Sequence, residues 1–116
     1  MRDEENEKIN AVLNQLIALT LVPEDWNEIS IEEHFQYLGL TMQSLMALST
    51  ENLLQHLQDH HFDYSNMEQF ADLLAVLHKK HGFALKKKAI AVYNFTQQES
   101  KMFSFEIIGK INGLSN

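Results

Sequence analysis

The sequence predicts an all-α fold, five or six short amphipathic helices packed as antiparallel hairpins. Three observations carry that expectation. Apolar residues recur at i, i+3, i+4 and i+7 through most of the chain. Small polar residues of the kind that cap helices stand just ahead of those stripes. Nothing alternates with period two for long enough to make a strand; Phe103-Ser104-Phe105 does so only briefly.

Residues 4 to about 20 are expected as the first helix, with Ile9, Val12, Leu13, Leu16 and Ile17 on one stripe. Asp3 is placed to cap it, and Glu4 and Glu5 sit where the helix dipole favours negative charge. Pro23 disfavours helical geometry at Val22 and ends it. Trp26, in the connection that follows, is expected to lid a core edge. Ser30-Ile31-Glu32-Glu33 has the form of a capping box and opens a helix to about Leu38, with Gly39 as the residue beyond its end. Thr41 caps another turn or two, with Leu40 and Leu45 as a hydrophobic staple. Ser49 caps the next helix, with Leu48 and Leu53 paired likewise, and Leu53, Leu54 and Leu57 along it to about His61.

Ser65-Asn66-Met67-Glu68 reads as a second capping box. Its helix carries Met67, Phe70, Ala71, Leu74, Leu77 and His78 on one side and stops at Gly82. A helix from about Ala84 to Gln98 buries Leu85, Ala89, Val92, Tyr93 and Thr96. Ser104 caps the last, with Phe103 and Ile108 as its staple and Gly113 near its end. Short connections at Phe62–Ser65 and at Gly82 force neighbouring helices antiparallel, so residues 49–113 are expected as two stacked hairpins with the first helix laid against them.

Composition bounds the class. At 116 residues, 45% hydrophobic and 22% charged, with only four Gly and one Pro, the chain is expected to be one folded domain over residues 1–116. The lack of cysteine excludes disulfides, thiolate metal sites and cysteine nucleophiles, and fits a reducing compartment. Met1-Arg2-Asp3-Glu4-Glu5 is acidic where a secretory signal carries basic charge, and no run approaches the roughly 20 apolar residues a bilayer requires. A cytoplasmic protein without membrane contact is the expectation.

Paired helices of this length resemble tetratricopeptide-like helical hairpins. Leu38-Gly39 is similar to the leucine–glycine pair of that repeat, whereas Met42 stands in place of its tyrosine and no repeat recurs at a period near 34 residues. Residues 45–114, with Leu-Ser-Thr-Glu-Asn-Leu-Leu and Met-Phe-Ser-Phe-Glu, also resemble parts of small all-helical bacterial proteins. These resemblances imply a fold and carry no functional residue across.

Six histidines raise the question of a metal. His56 and His60 have i, i+4 spacing and His78 and His81 have i, i+3, either of which lets one helix face chelate an ion. A zinc enzyme of the usual kind needs a third ligand, and no His-Glu-x-x-His is present. In a simple hairpin the two pairs lie on the order of 20 Å apart at 1.5 Å per residue. The expectation is no metal site, with the rings packed at the core margin and hydrogen-bonded to neighbours. Asp59, Asp63 and Asp72 are scattered, and serines 30, 49, 65 and 104 all have capping roles. There is no phosphate loop and no nucleophile elbow. Neither an enzyme nor a cofactor is expected.

One charge feature stands out. Lys79, Lys80, Lys86, Lys87 and Lys88 lie within ten positions that contain no acid, while the rest of the chain holds 16 acids against four bases, a balance of −12. Lys79 and Lys80 close a helix, where positive charge is favoured; Lys86 to Lys88 start one, where it is not. Besides a solvated corner, the partner for these five lysines is an acidic protein surface, on another copy or on this molecule, or a nucleic acid bound through a weak, salt-sensitive phosphate contact. The expected function is a small protein-interaction or structural module, possible as a homo-oligomer, with a nucleic-acid-associated regulator as the alternative.

Overall fold

The computed structural model describes residues 3–101 and 104–115. Among them are seven α-helices and no strand: α1 (Glu4–Leu21), α2 (Glu28–Tyr37), α3 (Met42–Ala47), α4 (Thr50–Asp59), α5 (Tyr64–His81), α6 (Lys86–Ser100) and α7 (Phe105–Ser115), with a 3-10 turn at Pro23–Asp25. That is one or two more than the five or six expected; the turn or two that Thr41 caps is a helix of its own, and Ser49 opens the next as expected.

Caps set most of the boundaries. The side chains of Asp3, Asn27, Thr41, Ser49, Asp63 and Ser104 each accept a hydrogen bond from the amide three residues on, at 2.7–3.2 Å. Two of these differ from the sequence expectation. Asn27, not Ser30, opens α2, which starts the helix three residues earlier; Ile31 and Phe35 then lie one turn apart with no exposure. Glu32 accepts from the Met42 amide at 2.9 Å, which ties α2 to the start of α3. Asp63, not Ser65, caps α5, because Asn66 is the residue whose side chain returns to the Asp63 amide at 3.1 Å. Gly39, at φ +74°, closes α2: its amide donates to Gln36 and that of Leu40 to Phe35, both backbone oxygens. The expected Phe103–Ile108 staple includes a residue outside the described ones; Gly113 lies near the end of α7, as expected.

Helix α5 is the centre of the molecule. α1 packs along one flank and α6 along the other, α2 folds back on α1, and both α4 and α7 rest on α6. So α5–α6 and α6–α7 are consecutive pairs, as short connections dictate, while α4 crosses to α6. The buried core runs through Ile9, Leu13, Leu16, Ile31, Phe35, Leu53, Leu57, Phe70, Leu74, Leu77, Val92 and Tyr93. Leu85, Ala89, Val92, Tyr93 and Thr96 of the α6 segment are all buried, as their spacing required.

Polar contacts fix the direction of α1. The Asn6 side-chain amide donates to the Asn66 side chain at 2.9 Å and to the His61 carbonyl at 2.8 Å, and Asn66 donates back to the Asn6 carbonyl at 3.2 Å. Farther along, Gln69 donates to the Asn10 carbonyl and to the Asn14 side chain. At the far end the His81 ring donates to the Thr20 carbonyl at 2.6 Å. α1 and α5 therefore run parallel, start beside start and end beside end, whereas α6 runs antiparallel to α5.

Candidate functional site

This arrangement sorts the charges. The starts of α1 and α5 and the ends of α4 and α6 meet at one end of the molecule, which gathers Glu4, Glu5, Glu7, Asp59, Asp63 and Glu99 against the two cations Lys8 and Lys101. The other end gathers Lys79, Lys80, Lys86, Lys87 and Lys88. With 18 residues in α5, the two are about 27 Å apart. Glu24 and Asp25, in the 3-10 turn, also lie toward the lysine end, where Trp26 packs on His81 at 4.6 Å and on Phe83 at 5.9 Å between ring centroids. Trp26 thus lids the core edge, as expected.

The five lysines are together in space but differ in what they do. Lys88 is half-buried and donates to the Met46 carbonyl at 3.1 Å, closing the end of α3. The Lys79 ammonium runs beside Gly113 of α7, 3.6 Å from where a Cβ there would stand. Lys80 is exposed. Lys86 and Lys87 line, with His78 and Ala84, an open depression of about 390 Å³. Leu85, the residue ahead of α6, supplies no side-chain cap, so this helix alone among those whose caps are described opens without one.

Four of the six histidines act as donors to backbone carbonyls. A carbonyl only accepts, so each ring nitrogen facing one carries the proton: His34 Nδ1 to Ser30 at 2.7 Å, His56 Nε2 to Leu38 at 2.9 Å, His78 Nδ1 to Phe83 at 2.9 Å, and His81 Nε2 to Thr20. His56 and His60 stack with centroids 4.2 Å apart over Gly39. A nitrogen that donates in this way is not available to a metal in the same state. Among the described residues no three potential ligands converge.

Two features escaped the sequence reading. Lys110 of α7 reaches Glu68 at 2.8 Å, Asp72 at 3.0 Å and Glu106 at 3.7 Å, and stands 5.9 Å from the centre of the Tyr93 ring. Burial would lower the Lys110 pKa, but the hydrogen bonds and charges of Glu68 and Asp72 outweigh it and raise it. Tyr93 is buried and donates its hydroxyl to Asp72; burial first and that bond second push its pKa up. The Tyr93 hydroxyl thus joins α6 to α5, and Lys110 of α7, over the Tyr93 ring, reaches the same Asp72. The second feature is a groove of about 270 Å³ at the acidic end, lined by Phe62, Tyr64, Met67 and Phe95 with Gln58, Asp63 and Glu99. Its sequence signal was Phe62-Asp63-Tyr64, an aromatic–acid–aromatic run at the turn before α5.

Among the described residues no helix is long and apolar enough to cross a membrane. Comparison of the chain with protein-family models, with curated proteins and with solved structures finds no match, so the functional reading rests on its own residues.

Proposed function

We propose that the protein is a small helical interaction module without catalytic activity, whose lysine end contacts an acidic surface of a protein partner. The observation that supports this reading is the charge on α6. Lys86, Lys87 and Lys88 stand in its first turn and Glu99 in its last, the reverse of what the helix dipole favours at both ends. Each misplaced charge costs about 0.3–1 kcal/mol where it is exposed. Lys88 regains this through Met46, whereas the half-buried Lys86 and the exposed Lys87 line the open depression, which has no acid among its lining residues. A surface that gives up stability in this way is accounted for by an external acid.

The finer likeness to tetratricopeptide-like hairpins belongs to this reading. It is supported by the consecutive α5–α6 and α6–α7 pairs, which make a scaffold with exposed ends. A cytoplasmic location and a possible homo-oligomer go with it. The nucleic-acid alternative uses the same lysines, and its signature is a steep fall of affinity with salt and little sequence preference.

The test is capture from nuclease-treated extract of the native cell by the wild-type chain and by a Lys86→Glu, Lys87→Glu variant. Lys88 is left intact so that α3 keeps its contact. Loss of specific protein partners with the helical spectrum unchanged is the expected result. Identical partners for both proteins, or partners retained only when the nuclease step is left out, overturns the reading.

A further inference from the structure

We infer that the partner is a second copy of this chain: the lysine end of one molecule docks on the aromatic groove at the acidic end of the next. The inference rests on the reading above and names its partner. The groove joins three elements, Phe62 from the α4–α5 turn, Tyr64 and Met67 from α5, and Phe95 from α6, with Glu99 on its rim. Phe62 and Met67 are buried beneath it, and the half-buried Phe95 and exposed Tyr64 supply rings that suit a lysine: the aliphatic stem lies on apolar surface, the ammonium meets a ring face, and a carboxylate stands at the rim.

Charge complementarity selects the occupant. Lys80, Lys86 and Lys87 lie at the opposite end of the same α5–α6 pair, so within one molecule this groove is out of their reach. Different patches meeting head to tail make a heterologous contact, which propagates into chains or closes into a ring. A larger acidic hollow, about 420 Å³ beside α2, offers Glu28 and Glu33 around the 75% exposed Ile29 but has no ring among its lining residues. Its Glu32 is engaged with the Met42 amide. It is the weaker acceptor and serves as the control.

The test is sedimentation velocity on the whole chain and on charge-swapped variants. The wild type is expected to gain mass with concentration at low salt and to return to monomer at high salt. Lys86→Glu with Lys87→Glu, and separately Gln58→Lys with Glu99→Lys, should each remain monomeric. An equal mixture of the two variants should associate again, since every end then meets its opposite; that recovery also shows that both are folded. Glu28→Lys with Glu33→Lys should behave as the wild type. A wild type that stays monomeric at low salt, a groove variant that still associates alone, or loss of association in the α2 control instead overturns the inference. If the wild type is monomeric yet loses its extract partners on lysine reversal, the interaction reading stands and only the second copy is wrong. If lysine reversal changes neither measurement, both fail.

Discussion

Asn66 shows how one side chain can decide a helix start. Its oxygen accepts from the Asp63 amide and from Asn6, and its amide donates to the Asn6 carbonyl, so the cap of α5 and the register of α1 are one network. Asp63→Ala should therefore cost about 1 kcal/mol in denaturant titration, as N-caps do. Ser65→Ala, at an exposed second position, should stay within about 0.5 kcal/mol. The reverse order would mean that α5 begins elsewhere. Only the Ser65 box was read from the sequence, although Ser and Asp cap equally well; the network that favours Asp63 includes Asn6, some 60 positions away, which no local pattern reveals. His60 supplies a pH prediction. Burial, and the charge of stacked His56 next, lower its pKa below 6.5 against the upward pull of Asp59 and Glu5; His61 also lowers it. The unfolded chain then takes up the proton first. The stabilising contribution is complete above pH 6.5 and is lost as pH falls through the window beneath it. Thermal melts followed downward from neutral pH should show this loss, and His60→Asn should reduce it; an unchanged slope would remove His60 from the account.

Among the elements, α7 depends most on a few groups. Ile107 and Leu114 are its buried side chains, its packing is on α6, and Lys110 ties it to Glu68 and Asp72 of α5. Lys110→Met should cost on the order of 1 kcal/mol, the net worth of charged hydrogen bonds at a part-exposed site. Hydrogen exchange over residues 105–115 should accelerate before that of α5 does. Uniform acceleration across both helices would show that α7 unfolds only with the whole. The α6 core stripe was fully legible in the sequence because period 3.6 and burial coincide there. The seat of α7 was not, since Glu68, Asp72 and Lys110 are far apart in sequence and each looks like an ordinary surface charge. The partner of α4 was equally hidden: a short link suggested α5, but Lys88 and Met46 show its entry lying against α6.

For the molecule as a whole, topology turns a scattered charge pattern into a polar one. Parallel α1 and α5 place the acids of both starts together, and antiparallel α6 brings Glu99 to that end and its lysines to the other. The lysine cluster was visible as a run in the sequence; the acidic aromatic groove was not, because its rings come from three elements. The central claim is that these two ends are the working surfaces and meet across molecules. The most direct test is the amide NMR spectrum of isotope-labelled protein, compared between dilute and concentrated samples at low and high salt. The account predicts shifts confined to residues 80–87 at one end and 58–64 with 95–99 at the other, growing with concentration and reversed by salt. Shifts at one end only, shifts centred on residues 28–36, or a spectrum independent of concentration would contradict it.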